Sequence, residues 1–291
     1  MRDPAVIVDA GVHVWRAEHR SRPWPPGREE PQREEPFGVD ELLGLMDASG
    51  VDRAVVVPPI WVGEDNTEVL EWAAQHPQRI AVMGRHPFTP ETVGQLAAWR
   101  DQPGMLGIRM SYPKAEFGDW LDLDHADWFW SAAARAGLPL FVLCQNQAGR
   151  LAPIAQRYPQ LPLIVDHLAL RNIRLDRLAG RDADAFERFD ELLELARFPN
   201  VHVKFSSLPT YSNEPYPYHD LDLGLQRARD AFGSERIMWA SDLTRMSLLE
   251  NPPEYTELLG HVRDELSFLS SAERGDILGG TALRVLWCTE P

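Results

Sequence analysis

The sequence predicts a (β/α)8 TIM-like barrel, with some distortion allowed, as a single domain over residues 1–291 and with an extended loop after strand one. Three observations carry this. Eight short runs rich in Val, Ile and Leu alternate with amphipathic stretches. The runs are nearly continuous in apolar character, as a parallel strand buried on both faces requires. Their ends are polar or ionisable, and that is where a barrel keeps its chemistry. An open doubly wound sheet would normally carry fewer strands and a glycine-rich first turn; here the first turn holds His13-Val14-Trp15.

The first run, Val6–Trp15, leads into residues 16–38, rich in Pro, Arg and Glu. That connection far exceeds the roughly 2–6 residues of an ordinary βα loop, and Trp24 within it points to a packed lid. Val39, Leu42, Leu43 and Met46 follow helical spacing, and Ser49-Gly50 stops that helix before the run Arg53–Pro59. Ile80–His86 and Met105–Met110 come next, then Leu138–Cys144 after the stop Ala136-Gly137. Leu161–His167 contains the unbroken LPLIV, and Asp182–Arg197 is helical, with Phe186, Phe189 and Leu193 on related faces. Val201–Ser206 and, past the stop Phe232-Gly233, Arg236–Asp242 complete the eight. Leu258, Leu259, Val262 and Leu266 mark a final apolar stripe.

Lysine and arginine total 29 against 44 aspartates and glutamates, a formal net charge of −15. A field of that sign repels phosphate, which argues against nucleic acid or anionic membrane as the main partner but leaves room for a local basic pocket. No run approaches the roughly 20 apolar residues of a membrane helix. The N-terminus passes straight into a strand pattern without a signal-peptide core. Cys144 and Cys288 form neither a CxxC nor a disulfide framework. These features predict a cytoplasmic protein acting on a small molecule, with room for an oligomer. Walker, GxGxxG, HExxH and GxSxG motifs are absent, so nucleotide, dinucleotide, zincin and serine-hydrolase chemistries have no starting point.

In order, the run ends present His13, Pro58-Pro59, Arg85-His86, Arg109, Cys144-Gln145, Asp166-His167, Lys204 with Ser206, and Ser241-Asp242. Burying a charge costs several kcal/mol unless it is paired, so these groups are expected to converge on one another or on a ligand. Most histidines serve as ordinary hydrogen-bonding residues; His13 and His167 stand out because each ends a buried strand. Asp166 reads as a structural ion pair and Cys144 as a small buried hydrophobe. Arg85 and Arg245 read equally as anion binders or as ion-pair members. Tyr211, Tyr216 and Tyr218 either pack the loop after the seventh run or line a pocket for a planar substrate.

VIVDAGVHVW, LIVDHL and IMWASD, in that order and spacing, resemble the amidohydrolase superfamily over nearly the whole chain. The resemblance is to the amidohydrolase-related branch, which contains pyrone-dicarboxylate and sugar lactonases and aromatic-acid decarboxylases. It implies an HxH pair on strand one, a His ending strand five, a His ending strand six and an Asp ending strand eight. His13, His167 and Asp242 match. Gly11 stands where the first strand-one His would be, and strand five ends in Leu143-Cys144-Gln145. Positions 11 and 13 share one side of a strand, so half of a chelate is gone. If a Zn or Mn ion is present, His13, His167 and Asp242 are the three ligands it would use. The expectation is a site with no metal and no other cofactor.

The expected activity is that of a lactonase-like hydrolase, opening a lactone or ester-like bond in a small anionic molecule, aromatic or cyclic. Asp242 acts as general base toward water, and His13 and His167 position the water or polarise the carbonyl. Arg109 and Lys204 hold a substrate carboxylate or the developing oxyanion. Ser206, Tyr211 and Trp15 complete the substrate contacts. Its rivals are metal-dependent decarboxylation or hydrolysis through His13, His167 and Asp242, a non-hydrolytic acid–base reaction on the same groups, and an inactive barrel that binds a small ligand.

Overall fold

The computed structural model describes residues 6–28, 30–112, 114–173 and 184–287. Eight parallel strands follow one another in sequence order. They are β1 (Val8–Val12), β2 (Arg53–Val56), β3 (Ile80–Gly84), β4 (Met105–Met110), β5 (Leu140–Val142), β6 (Leu163–Val165), β7 (Val201–Ser206) and β8 (Ile237–Ala240). Each lies within its predicted apolar run. The ring closes where β8 meets β1: Asp242 N–H donates to the Gly11 carbonyl at 3.0 Å, and Ser241 N–H to Asp9 Oδ1 at 2.9 Å. This is a (β/α)8 barrel.

Successive side chains of a strand face opposite ways, and the core divides accordingly. One cluster, including Val55, Met83, Phe141, Ile164 and Met238, contains strand residues capped by Ala282 and Leu286, and fills the barrel. The other joins the alternate positions, Val56, Val82, Val142, Val165 and Val203 among them, to the surrounding helices. A register shift in β1 between Asp9 and Val12 breaks the alternation there. Asp9, between the interior residues Val8 and Ala10, faces the other way, and its carboxylate accepts from Ser241 Oγ at 2.5 Å and Tyr255 Oη at 3.0 Å. Burial pushes it up to about 6 against those hydrogen bonds.

The helix Val39–Ser49 ends at Gly50, which adopts φ +74° as a left-handed stop must. The final stripe begins as a helix over Tyr255–Gly260 and widens into a π-turn over His261–Glu265. Part of the helix expected over 182–197 lies outside the described residues; those described form Phe189–Glu194 and a 3-10 turn, Leu195–Arg197. In the long connection after β1, Trp24 packs on the core. The buried Arg28 guanidinium bonds Glu64 after β2 and Glu116 after β4, each at 3.0 Å. Thr244 Oγ1, after β8, donates to Gln32 Oε1 at 2.6 Å. The connection thus touches three other strand-end segments. Among the described residues no helix is long and apolar enough to cross a membrane.

Candidate active site

A cavity of about 480 Å³ lies at the C-terminal ends of the strands. His13, His167 and Asp242 meet in its wall: His13 Nε2 is 3.7 Å from Asp242 Oδ1, and His167 Nε2 is 3.7 Å from Asp242 Oδ2. The same three side chains also line a small space of about 20 Å³ shared with Gly11, Arg109, Asp166, Lys204 and Ser206. That volume suits a single water with several polar partners.

Sharp turns at the strand ends aim these groups. His167 (φ +53°), Ser207 (φ +56°) and Asp242 (φ +47°) all occupy the left-handed region without being glycine. Each such residue costs about 1–3 kcal/mol, and clusters of them mark sites where side-chain direction matters more than local comfort. The surrounding hydrogen bonds hold the strained turns. Ser207 Oγ donates to Asp242 Oδ2 through a short bond. His167 N–H donates to Ser206 Oγ at 3.2 Å, and its Nδ1 lies 2.7 Å from that oxygen. His13 Nδ1 donates to the Val57 carbonyl at 2.8 Å. A carbonyl only accepts, so the proton of neutral His13 sits on Nδ1 and Nε2 turns a lone pair toward Asp242.

Burial pulls both histidines down, His13 and His167 each to about 4, against the attraction of Asp242. They are neutral at pH 7. Burial alone would raise Asp242, but His167, His13, Arg245 and the Ser207 hydroxyl together outweigh it and hold the carboxyl below its ordinary value. The arrangement is an ionised carboxylate between two neutral imidazoles, which is the state a base requires.

The other predicted residues are placed differently. Asp166, read from sequence as structural, is the shared partner of both predicted substrate cations: Arg109 Nη1 makes a short bond to Oδ2, and Lys204 Nζ lies 2.9 Å from Oδ1. The sequence assigned Arg109 and Lys204 to a substrate carboxylate or the developing oxyanion; in the structure both side chains also contact Asp166. Arg109 still lines the large cavity; Lys204, 2 % exposed, reaches only the small one and lies over the Phe141 ring. Ser206 serves His167. Tyr211 is buried and its hydroxyl accepts from Gln145 Nε2 at 3.0 Å, so it braces the wall and does not line it. Trp15 is buried edge-on against Trp61, and it is Trp61 that lines the cavity. Cys144 is buried, and burial pushes its thiol up to about 12, which disfavours the thiolate. Trp61, Trp120, Ser207 and Arg150 were not singled out from sequence; they lie in the short 3-10 turns, turn and bend that follow strands, where no periodicity marks them.

This fold with this set of strand-end groups defines an amidohydrolase. The family model described as Amidohydrolase matches residues 8–286, and the chain belongs to that family. L-fucono-1,5-lactonase of Burkholderia ambifaria is 30% identical over 284 residues, covering 94% of this chain and 93% of the relative. The 4-sulfomuconolactone hydrolase of Hydrogenophaga intermedia is 26% identical over 206 residues, covering 70% of this chain and 64% of the relative. An amidohydrolase structure from Burkholderia multivorans with bound zinc superposes with a TM-score of 0.74 at 24% identity, over 97% of this chain and 99% of that one. That likeness bears on the fold.

Two of the donors that the family resemblance implies for a metal, a first strand-one His and a His ending strand five, are missing from this chain. Among the described residues no three His, Cys, Asp or Glu side chains are grouped to hold an ion. Gly11 supplies no ligand, and a Cβ built on it would stand 3.3 Å from Lys204 Nζ. The Lys204 ammonium thus stands beside the position at which the missing strand-one ligand would project.

Proposed function

We propose that this protein hydrolyses a lactone in a small, ring-containing anionic molecule, without a metal. The observation that carries the reading is the water-sized space bounded by Asp242, His13, His167 and the Lys204 ammonium. The names of the lactonase relatives support the bond type.

A water in that space donates one hydrogen to Asp242, while the His13 Nε2 lone pair accepts the other. As the water oxygen adds to the lactone carbonyl, Asp242 takes its proton. Collapse breaks the ring C–O bond, and protonated Asp242 returns the proton to the leaving oxygen, giving a hydroxy acid. The Lys204 ammonium, beside the attacking oxygen, favours developing hydroxide character by its charge alone.

Two measurements test this. Burial lowers Lys204 to about 8, so its charge is lost as pH rises through that value. His13 and His167 gain protons only as pH falls through about 4. The expected kcat/KM profile is a plateau with an acid limb near pH 4 and an alkaline limb near pH 8. Because the unfolded histidines titrate near 6.5, stability contributed by keeping them neutral declines as pH falls from about 6.5 to 4. A melt at each pH separates that decline from the catalytic limb. An acid limb near 6.5 in the folded enzyme would contradict the neutral pair. The second measurement is dialysis against 1,10-phenanthroline, after which lactone turnover is expected to stay unchanged. Loss of activity restored by Zn or Mn would favour the metal-dependent reading instead.

A further inference from the structure

Arg85 is an anomaly within the cavity wall. It follows β3, is 3 % exposed, and lines the large cavity. Yet among the described residues no carboxylate lies within ion-pair distance of it. Glu64, the acid that acts on it from further away, is held by Arg28 at 3.0 Å. The chain nevertheless fixes Arg85 with care. Asn66 Oδ1 accepts from its backbone N–H at 2.7 Å, and Asn66 Nδ2 donates to its carbonyl at 2.8 Å. Its Nε donates to the Pro58 carbonyl at 2.7 Å, and Nη1 to Ser111 Oγ at 2.9 Å.

A guanidinium has five N–H donors, and these bonds use two of them. The remaining three have no partner among the described residues, and none of the Arg85 nitrogens is an orphan sealed away from the cavity. Burial and the nearby Arg109 cation pull Arg85 down to about 9. Arg109 already contacts Asp166, whereas among the described residues no carboxylate contacts Arg85. A buried cation with a locked backbone, two neutral tethers and open N–H bonds is organised for an anion that arrives from outside. The flat fork of a guanidinium matches a carboxylate through two parallel bonds.

We infer that Arg85, with Ser111 beside it, is the carboxylate-binding subsite of the cavity, and that the substrate carries a carboxylate placed away from the bond broken at Asp242. This rests on the hydrolase reading for the reaction but not for the binding. Tyr112 and Trp120, bonded together through Trp120 Nε1 and the Tyr112 carbonyl at 3.0 Å, form the adjoining wall for the ring.

The test uses benzoate and isophthalate, inert aromatic carboxylates, with benzyl alcohol as the uncharged control, titrated calorimetrically into the whole protein. Wild type is expected to bind at least one carboxylate more tightly than the alcohol. Arg85→Met is expected to weaken that binding about 30- to 100-fold, the loss typical of removing one partner of a buried charge pair. Arg85→Lys should recover part of it. Melts of both variants establish that they are folded; a structural role for Arg85 would show instead as a lowered Tm with binding by the folded fraction unchanged. Equal binding by wild type and Arg85→Met, or no binding of either carboxylate at millimolar concentration, overturns the subsite. Lactone turnover is scored separately. Carboxylate binding through Arg85 with no lactone opened would sink the hydrolase reading alone. Lactones opened with no preference for a carboxylate, in wild type and variant alike, would sink the subsite alone.

Discussion

Asp242→Asn is expected to lower lactone turnover by about 10²–10⁴-fold while leaving the barrel folded. The amide matches the carboxylate in shape, and its oxygen can still accept from Ser207 Oγ, so the strained turn at φ +47° keeps its anchor. What disappears is the ability to take a proton from water. The neighbouring imidazoles stay anchored, His13 by the Val57 carbonyl and His167 by Ser206 Oγ, so the variant isolates the loss of the carboxylate itself. Turnover and a thermal melt on the same variant decide the point. A folded and fully active Asn variant would remove Asp242 from the mechanism, and with it the main support for hydrolysis.

Asp166→Ala is expected to be the most destabilising single change at the site. It leaves two cations, Arg109 at 6 % and Lys204 at 2 % exposure, buried without their shared carboxylate. Breaking a buried pair from one side costs about 3–5 kcal/mol, which for a chain of this size corresponds to a drop in Tm of the order of 10 °C. Burial would raise the Asp166 carboxyl, but Arg109 and Lys204 outweigh it and hold the group far below the ordinary range. A depressed carboxyl contributes stability above its unfolded value near 3.9, and loses it only as pH falls below that. The Asp166→Ala penalty should therefore be full at pH 7 and shrink in strong acid. A melt within a degree or two of wild type at pH 7 would show that the two cations find other partners.

The barrel was legible because its physics is repetitive. A strand buried on both faces must be apolar without a break, so LPLIV and AVVV declared themselves, and the glycine stops fell where left-handed backbone was needed. His13, His167 and Asp242 were legible because each ends such a run. The partners of the cations were not. Asp166 lies next to His167 in sequence, but that it faces Arg109 and Lys204 depends on three strands meeting at one level of the barrel. Asp9 was hidden differently: an acid within an apolar strand does not announce that Ser241 and Tyr255, from the far end of the chain, will satisfy it. Arg85 showed its charge but not its lack of a partner, since an unpaired cation and a paired one are spelled alike.

The Asp9 contacts have a consequence for how the chain comes into being. The carboxylate sits in the first strand, whereas its donors, Ser241 and Tyr255, lie 232 and 246 residues further along. A ribosome therefore delivers β1 long before anything exists to satisfy its acid, and the early strand cannot be sealed into an interior until translation has nearly finished. Such long-range closure slows folding, because loop entropy is lost before the contact rewards it. It also makes the last quarter of the chain a template for the first strand. Synthesis cut short before Ser241 leaves an opening strand that pairs with β2 along one edge but lacks the donors of its buried acid along the other.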